Sequence, residues 1–89
     1  MNLKLTIEIW DRRGWYLARC PELDFVSQGP SPEEAKRNLL EVIGIQFEEM
    51  SALGTLQDYL SECGYLRDKG TLVPQWEMVG FEKSAFRMA

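Results

Sequence analysis

Cys20-Pro21-Glu22-Leu23-Asp24-Phe25-Val26-Ser27-Gln28-Gly29-Pro30-Ser31-Pro32-Glu33-Glu34-Ala35 holds a strand exit, a turn, a short strand and a helix start in one unbroken run. Pro21 removes a ladder donor, so a strand arriving at Cys20 ends there. Phe25 to Gln28 are the only candidates for a third strand before Gly29-Pro30 break the pattern. Ser31 then caps a helix, with Pro32 at the first helical position. Glu34 stands three residues after the cap, placed to return the hydrogen bond and to sit at the positive helix end.

N-terminal to this run, Leu3 to Trp10 alternate, with Leu3, Leu5, Ile7 and Ile9 on one side and Lys4, Thr6, Glu8 and Trp10 on the other. That is the period of a half-buried strand. Asp11-Arg12-Arg13-Gly14 supplies a turn, and Trp15 to Cys20 resume strand character, so the two segments predict a hairpin. With Trp10 and Trp15 flanking the loop directly, Ile9 faces Tyr16, Ile7 faces Ala18 and Leu5 faces Cys20 on the core side.

C-terminal to the run, Ala35, Leu39, Val42, Ile43, Phe47 and Met50 recur at helical spacing as one apolar stripe, despite Gly44 in the interior. A helix of about four to five turns is expected. Leu53-Gly54 marks a stop, and Thr55 is placed to cap a short second helix through Asp58, ending at Cys63-Gly64 with Leu56, Tyr59 and Leu60 inward. Arg67-Asp68-Lys69-Gly70 form a polar connection. Trp76 to Phe81, extending as far as Met88, return to bulky residues suited to a last strand. The predicted fold is α+β, a single domain over residues 1–89. It is a small antiparallel sheet in the order β-β-β-α-(α)-β, with the main helix packed on one face.

Composition narrows the function classes. The chain is 45% hydrophobic and 27% charged, an ordinary globular balance. No apolar run approaches the roughly 18 residues of a membrane span, and the N-terminus carries no leader pattern, so a cytoplasmic protein is expected. Ten basic against 14 acidic side chains, a net charge of −4, argue against a nucleic-acid binder and favour a basic partner or simple solubility. Cys20 and Cys63 form no Cys-x-x-Cys pair and there is no histidine, so both read as buried thiols; no metal and no cofactor are expected.

The Cys20 to Ala35 run resembles the N-terminal module of HicB-type antitoxins. In that family a strand ends near Cys-Pro-Glu-Leu, a short strand carries Val-Ser-Gln-Gly, and a helix opens on Ser/Thr-x-Glu-Glu-Ala. The resemblance covers about the first 50 residues strongly and the remainder loosely, and it implies a truncated ribonuclease-H-like fold. It also implies that the partner is a small basic HicA-type ribonuclease toxin, neutralised when its RNA-binding face is covered. Two departures stand out. The Pro-Gly that many members place after Leu is here Asp24-Phe25, and no ribbon-helix-helix or helix-turn-helix segment follows the module, so toxin binding without operator binding is the expected activity.

The hairpin face turned away from the core is expected to show Lys4, Thr6, Glu8, Trp10, Trp15, Leu17 and Arg19. Trp10, Trp15, Leu17 and Arg19 are the aromatic and arginine anchors typical of protein interfaces. The same pair of indoles also fits a cross-strand contact that only stabilises the hairpin. Glu33, Glu34, Glu41, Glu48 and Glu49 form an acidic set on the first helix; Glu41 and Glu48 in particular suit a basic partner, although solvation of a helix face explains the charge equally. Catalysis is not expected. A ribonuclease-H site needs several carboxylates converging on metal ions, whereas Glu8 falls on the outer face and Glu22 and Asp24 in a connection. Neither cysteine has a histidine to generate a thiolate. Trp10, Trp15, Tyr16, Arg12, Arg13 and Arg19 leave open an RNA or single-strand binding module. Unpaired sheet edges on so small a module make a homodimer the expected assembly.

Overall fold

The computed structural model describes residues 2–89. The elements are β1 (Asn2–Leu3), β2 (Glu8–Arg12), β3 (Trp15–Cys20), β4 (Phe25–Gly29), α1 (Pro32–Leu53), α2 (Leu56–Glu62), β5 (Tyr65–Asp68) and β6 (Thr71–Pro74). The fold is α+β. β2, β3 and β4 form an antiparallel meander, and α1 covers one of its faces. A second three-stranded sheet, which the sequence pattern does not predict, runs β1-β6-β5, with β1 parallel to β6 and β5 antiparallel to it.

The seat for α1 is made by small side chains. Ala18 and Cys20 of β3 are fully buried against Ala35, Leu39 and Ile43 of the helix, together with Leu23, Leu60 and Tyr65. Gly29, at the end of β4, lies so close to the helix start that an added Cβ would stand 2.9 Å from the Ala35 backbone nitrogen. Strand and helix therefore meet backbone to backbone. Of the predicted stripe, Ala35, Leu39 and Ile43 are buried and Phe47 packs partly against them. Burying a leucine such as Leu39 contributes about 1.5–3 kcal/mol.

The caps of α1 follow the local sequence. Ser31 stays extended, and its hydroxyl accepts a hydrogen bond from the Glu34 N–H at 3.1 Å. Gly54 adopts a left-handed conformation at φ 75° and its N–H returns to the last turn. Between them the helix runs 22 residues, about six turns rather than four to five. Gly44 does not shorten it, because Leu39, Ile43 and Phe47 on either side of it are anchored in the core, and tertiary packing outweighs the weak local propensity. Thr55 does not cap α2: its hydroxyl turns back to donate to the Met50 carbonyl at 3.4 Å. Leu60 is buried in the expected inward position, and Leu56 and Tyr59 pack beside it.

Three further expectations are corrected. The single strand from Leu3 to Trp10 is broken, because residues 4–7 carry the chain from one sheet to the other. Two of their backbone groups are taken up by side chains, the Tyr65 hydroxyl donating to the Lys4 carbonyl at 2.7 Å and the Thr6 N–H donating to Glu22 Oε1 at 2.9 Å, while the Lys4 N–H donates to the Leu72 carbonyl at 2.9 Å. Leu3, Leu5 and Ile7 still pack against the core, but Ile9 is exposed.

The hairpin register is also displaced. Arg12 pairs with Trp15 and Trp10 with Leu17, because the loop is the two-residue turn Arg13-Gly14 with φ 56° and 85°. The shift is two residues, so the side chains of β2 and β3 keep their predicted faces, whereas Lys4 and Thr6, expected on the outer face, lie outside the meander.

Finally, Trp76 to Met88 do not form the last strand. Lys69-Gly70 repeat the two-positive-φ turn at 51° and 82°, and the strands on either side of it are β5 and β6. Residues 75–89 have almost no regular structure and lie exposed.

Candidate protein-docking face

Strand alternation sorts the meander into two faces. With Ala18 and Cys20 turned toward α1, the opposite face takes Glu8, Trp10 and Arg12 from β2, Trp15, Leu17 and Arg19 from β3, and Val26 and Gln28 from β4. No element of the described chain covers it. Trp10 is 57% exposed, Trp15 45% and Val26 51%, while Leu17 at the centre is half-buried between them.

The two indoles are not opposite one another. Trp10 faces Leu17 and Trp15 faces Arg12, so the rings are diagonal neighbours across the hairpin. Each indole N–H is held separately: Trp15 Nε1 donates to Gln28 Oε1 at 2.9 Å and Trp10 Nε1 to Glu8 Oε1 at 3.2 Å. Glu8 Oε1 also receives Arg19 Nη1 at 3.3 Å in an exposed ion pair. Such a pair contributes under about 1 kcal/mol to stability, but with Gln28 it fixes the polar atoms around the edge of an apolar centre. The arrangement has an interface's anatomy, aromatic and aliphatic in the middle and polar at the rim.

Of the residues singled out from sequence, Trp10, Trp15, Leu17 and Arg19 thus share one surface. Glu41 and Glu48 do not join them. Both are exposed on α1, which packs against the opposite side of the sheet, so they belong to a different surface of the molecule. Val26 and Gln28 complete the face without having been predicted, and Arg12, expected in the turn, joins it as the last residue of β2. The alternation in Phe25-Val26-Ser27-Gln28 was the available signal, but only the pairing of β4 with β3 places it beside Leu17.

Beneath the face, a polar joint holds the sheets together. The Glu22 carboxylate accepts from the Thr6 N–H and, at 2.6 Å, from the Thr6 hydroxyl. Burial alone would raise its pKa, but these hydrogen bonds outweigh it and hold the carboxyl below its ordinary value. Glu22 also receives the Cys20 Sγ at 3.5 Å. Burial, with Glu22 beside it, pushes the Cys20 thiol up to about 11, the opposite of what a nucleophile requires. Burial raises the Tyr65 hydroxyl likewise, and pushes Tyr59, beside Cys63, up to about 12. Both phenols serve as donors to backbone, Tyr59 to the Leu23 carbonyl at 2.6 Å.

Among the described residues no three of His, Cys, Asp and Glu gather to hold a metal ion. Among the described residues no helix is long and apolar enough to cross a membrane. A shallow groove runs between Pro21-Glu22 and Trp76-Glu77-Met78. No protein-family model, curated protein or solved structure matches the chain.

Proposed function

We propose that this chain is a protein-binding module of the HicB-like kind, acting in the cytoplasm by covering a small basic HicA-type ribonuclease toxin. The observation that carries the reading is the uncovered outer face of β2-β3-β4. Two indoles and Val26 stand there in the open around a half-buried Leu17, rimmed by Arg19, Glu8 and Gln28. A large apolar surface with a polar rim marks a site of contact more often than a solvated face. The resemblance of Cys20 to Ala35 to the HicB module supplies the class of partner. A net charge of −4 suits a basic one, and Glu41 and Glu48, away from the face, would act at long range by speeding encounter. The module works by binding, with no cofactor.

The test is co-expression with the product of the adjacent reading frame, followed by co-purification and by growth and RNA-cleavage assays of that product with and without this chain. A tight complex that silences a toxic neighbour supports the reading. A harmless neighbour that forms no complex overturns it, and salt-sensitive binding of single-stranded RNA through Trp10 and Trp15 would replace it with a nucleic-acid role.

A further inference from the structure

We propose that residues 76–88 are an exchanged arm: two copies of this chain pair in solution, and the arm of each lies across the outer face of the other's β2-β3-β4 sheet. The molecule carries two separate apolar surfaces that nothing covers. One is the sheet face with Trp10 and Trp15. The other is the arm, where Val79, Phe81, Phe86 and Met88 are all between 84% and 98% exposed. Single exposed apolar residues are ordinary, but a run of this density is a contact surface without its partner.

The arm does not return to its own body. Trp76 and Met78 line a shallow groove opposite Pro21 and Glu22, Trp76 itself 86% exposed, and beyond them the chain stays in the open. The molecule is accordingly drawn out to 51 × 28 × 21 Å, with a radius of gyration of 15.5 Å. A compact chain of this length has about 12 Å. Area favours a second copy as the occupant. The three aromatic rings of the arm, at roughly 150–250 Å² each, bring it to about 600 Å². With the face that each copy also contributes, each exceeds the roughly 800 Å² per partner of a standard interface. Charge does not oppose it: the arm balances Glu77 and Glu82 against Lys83 and Arg87, so it meets no net repulsion from a face that carries Glu8, Arg12 and Arg19.

The inference rests on the same uncovered face as the proposed function, and there the arm and a partner would compete. Its readout is the mass of the chain alone, so dimerisation can fail while toxin binding stands, and the reverse. The experiment is sedimentation equilibrium of the full chain and of two double variants, Phe81→Ser with Phe86→Ser on the arm and Trp10→Ser with Trp15→Ser on the face. The unaltered chain should weigh twice 10.3 kDa. Each variant should dimerise at least about a hundredfold more weakly. An equal mixture of the two should pair more tightly than either alone, because the intact arm of one meets the intact face of the other. Phe81 and Phe86 are 85% and 91% exposed and support nothing in their own body, so the arm variant folds whatever becomes of the face variant. A monomeric unaltered chain, a dimer indifferent to the arm substitutions, or a mixture no tighter than its components overturns the proposal.

Discussion

Removing the Glu22 carboxylate should loosen the joint between the two sheets, by an amount that depends on pH in a defined direction. Glu22 accepts two hydrogen bonds from Thr6, at 2.9 Å from the N–H and 2.6 Å from the hydroxyl. A hydrogen bond to a charged group contributes about 1.5–3 kcal/mol, and the partly exposed position puts the pair at the lower end of that range. Glu22→Ala should therefore cost about 2 kcal/mol, and Glu22→Gln, which keeps one acceptor, about half. For a chain of this size 2 kcal/mol lowers Tm by roughly 8–16 °C.

The carboxyl is held below its ordinary value in the folded state. Its stabilisation is therefore complete above the unfolded-state pKa and is lost as pH falls through the folded-state pKa. Urea titrations of the native chain, Glu22→Ala, Thr6→Val and the double variant, at neutral pH and again near about pH 3, measure the coupling. A coupling below about 0.5 kcal/mol at neutral pH refutes the joint. So does one that survives acidification undiminished.

Other perturbations read out the seat of the helix, the face and the buried thiol. Gly29→Ala places a methyl 2.9 Å from the Ala35 nitrogen, so it should lower stability by about 1–3 kcal/mol, measured by thermal unfolding. The same substitution at Gly44, where nothing stands within 4 Å, should raise stability by about 0.5–1 kcal/mol. Trp15→Ala removes a half-exposed ring and its bond to Gln28. It should cost under about 1 kcal/mol in stability but weaken binding of a protein partner by at least about thirtyfold in calorimetry; equal loss of both would assign Trp15 to the fold alone. Cys20, with its thiol pushed up to about 11 and no exposed surface, should resist alkylation in the native chain at neutral pH and react only once the chain unfolds.

What the sequence discloses here depends on whether the decisive interaction is local. Helix α1 is legible because Ser31, Pro32 and Gly54 act on their own neighbours, and each end is set within a few residues. The outward set Trp10, Trp15, Leu17 and Arg19 is legible because the two-residue period survives an error of register. The register itself is not: Asp11-Arg12-Arg13-Gly14 serves equally as a four-residue loop or as two strand residues and a two-residue turn, and only the positive φ of Arg13 and Gly14 decides. The break in the first strand is invisible because Leu3, Leu5, Ile7 and Ile9 alternate whether or not the backbone between them is paired. Glu22 and Tyr65, distant in sequence, take up those backbone groups. The bulky residues from Trp76 onward mislead for a related reason. Apolar side chains signal a need for cover, which a strand in the same sheet is only one way to meet.

The two-residue strand β1 pairs Asn2 with Thr71 and Leu3 with Leu72, which orders events during synthesis. As the chain emerges from the ribosome, the meander and α1 have most of their partners close in sequence and can assemble early, before Tyr59, Leu60 and Tyr65 close the core. Asn2 and Leu3 must wait for β6 to be translated before their ladder exists. Closure across so long a loop is entropically the slowest kind of contact to make. Until then the first residues and the crossing at Lys4 to Ile7 hang open, and it is there that a protease or a chaperone would meet the nascent protein.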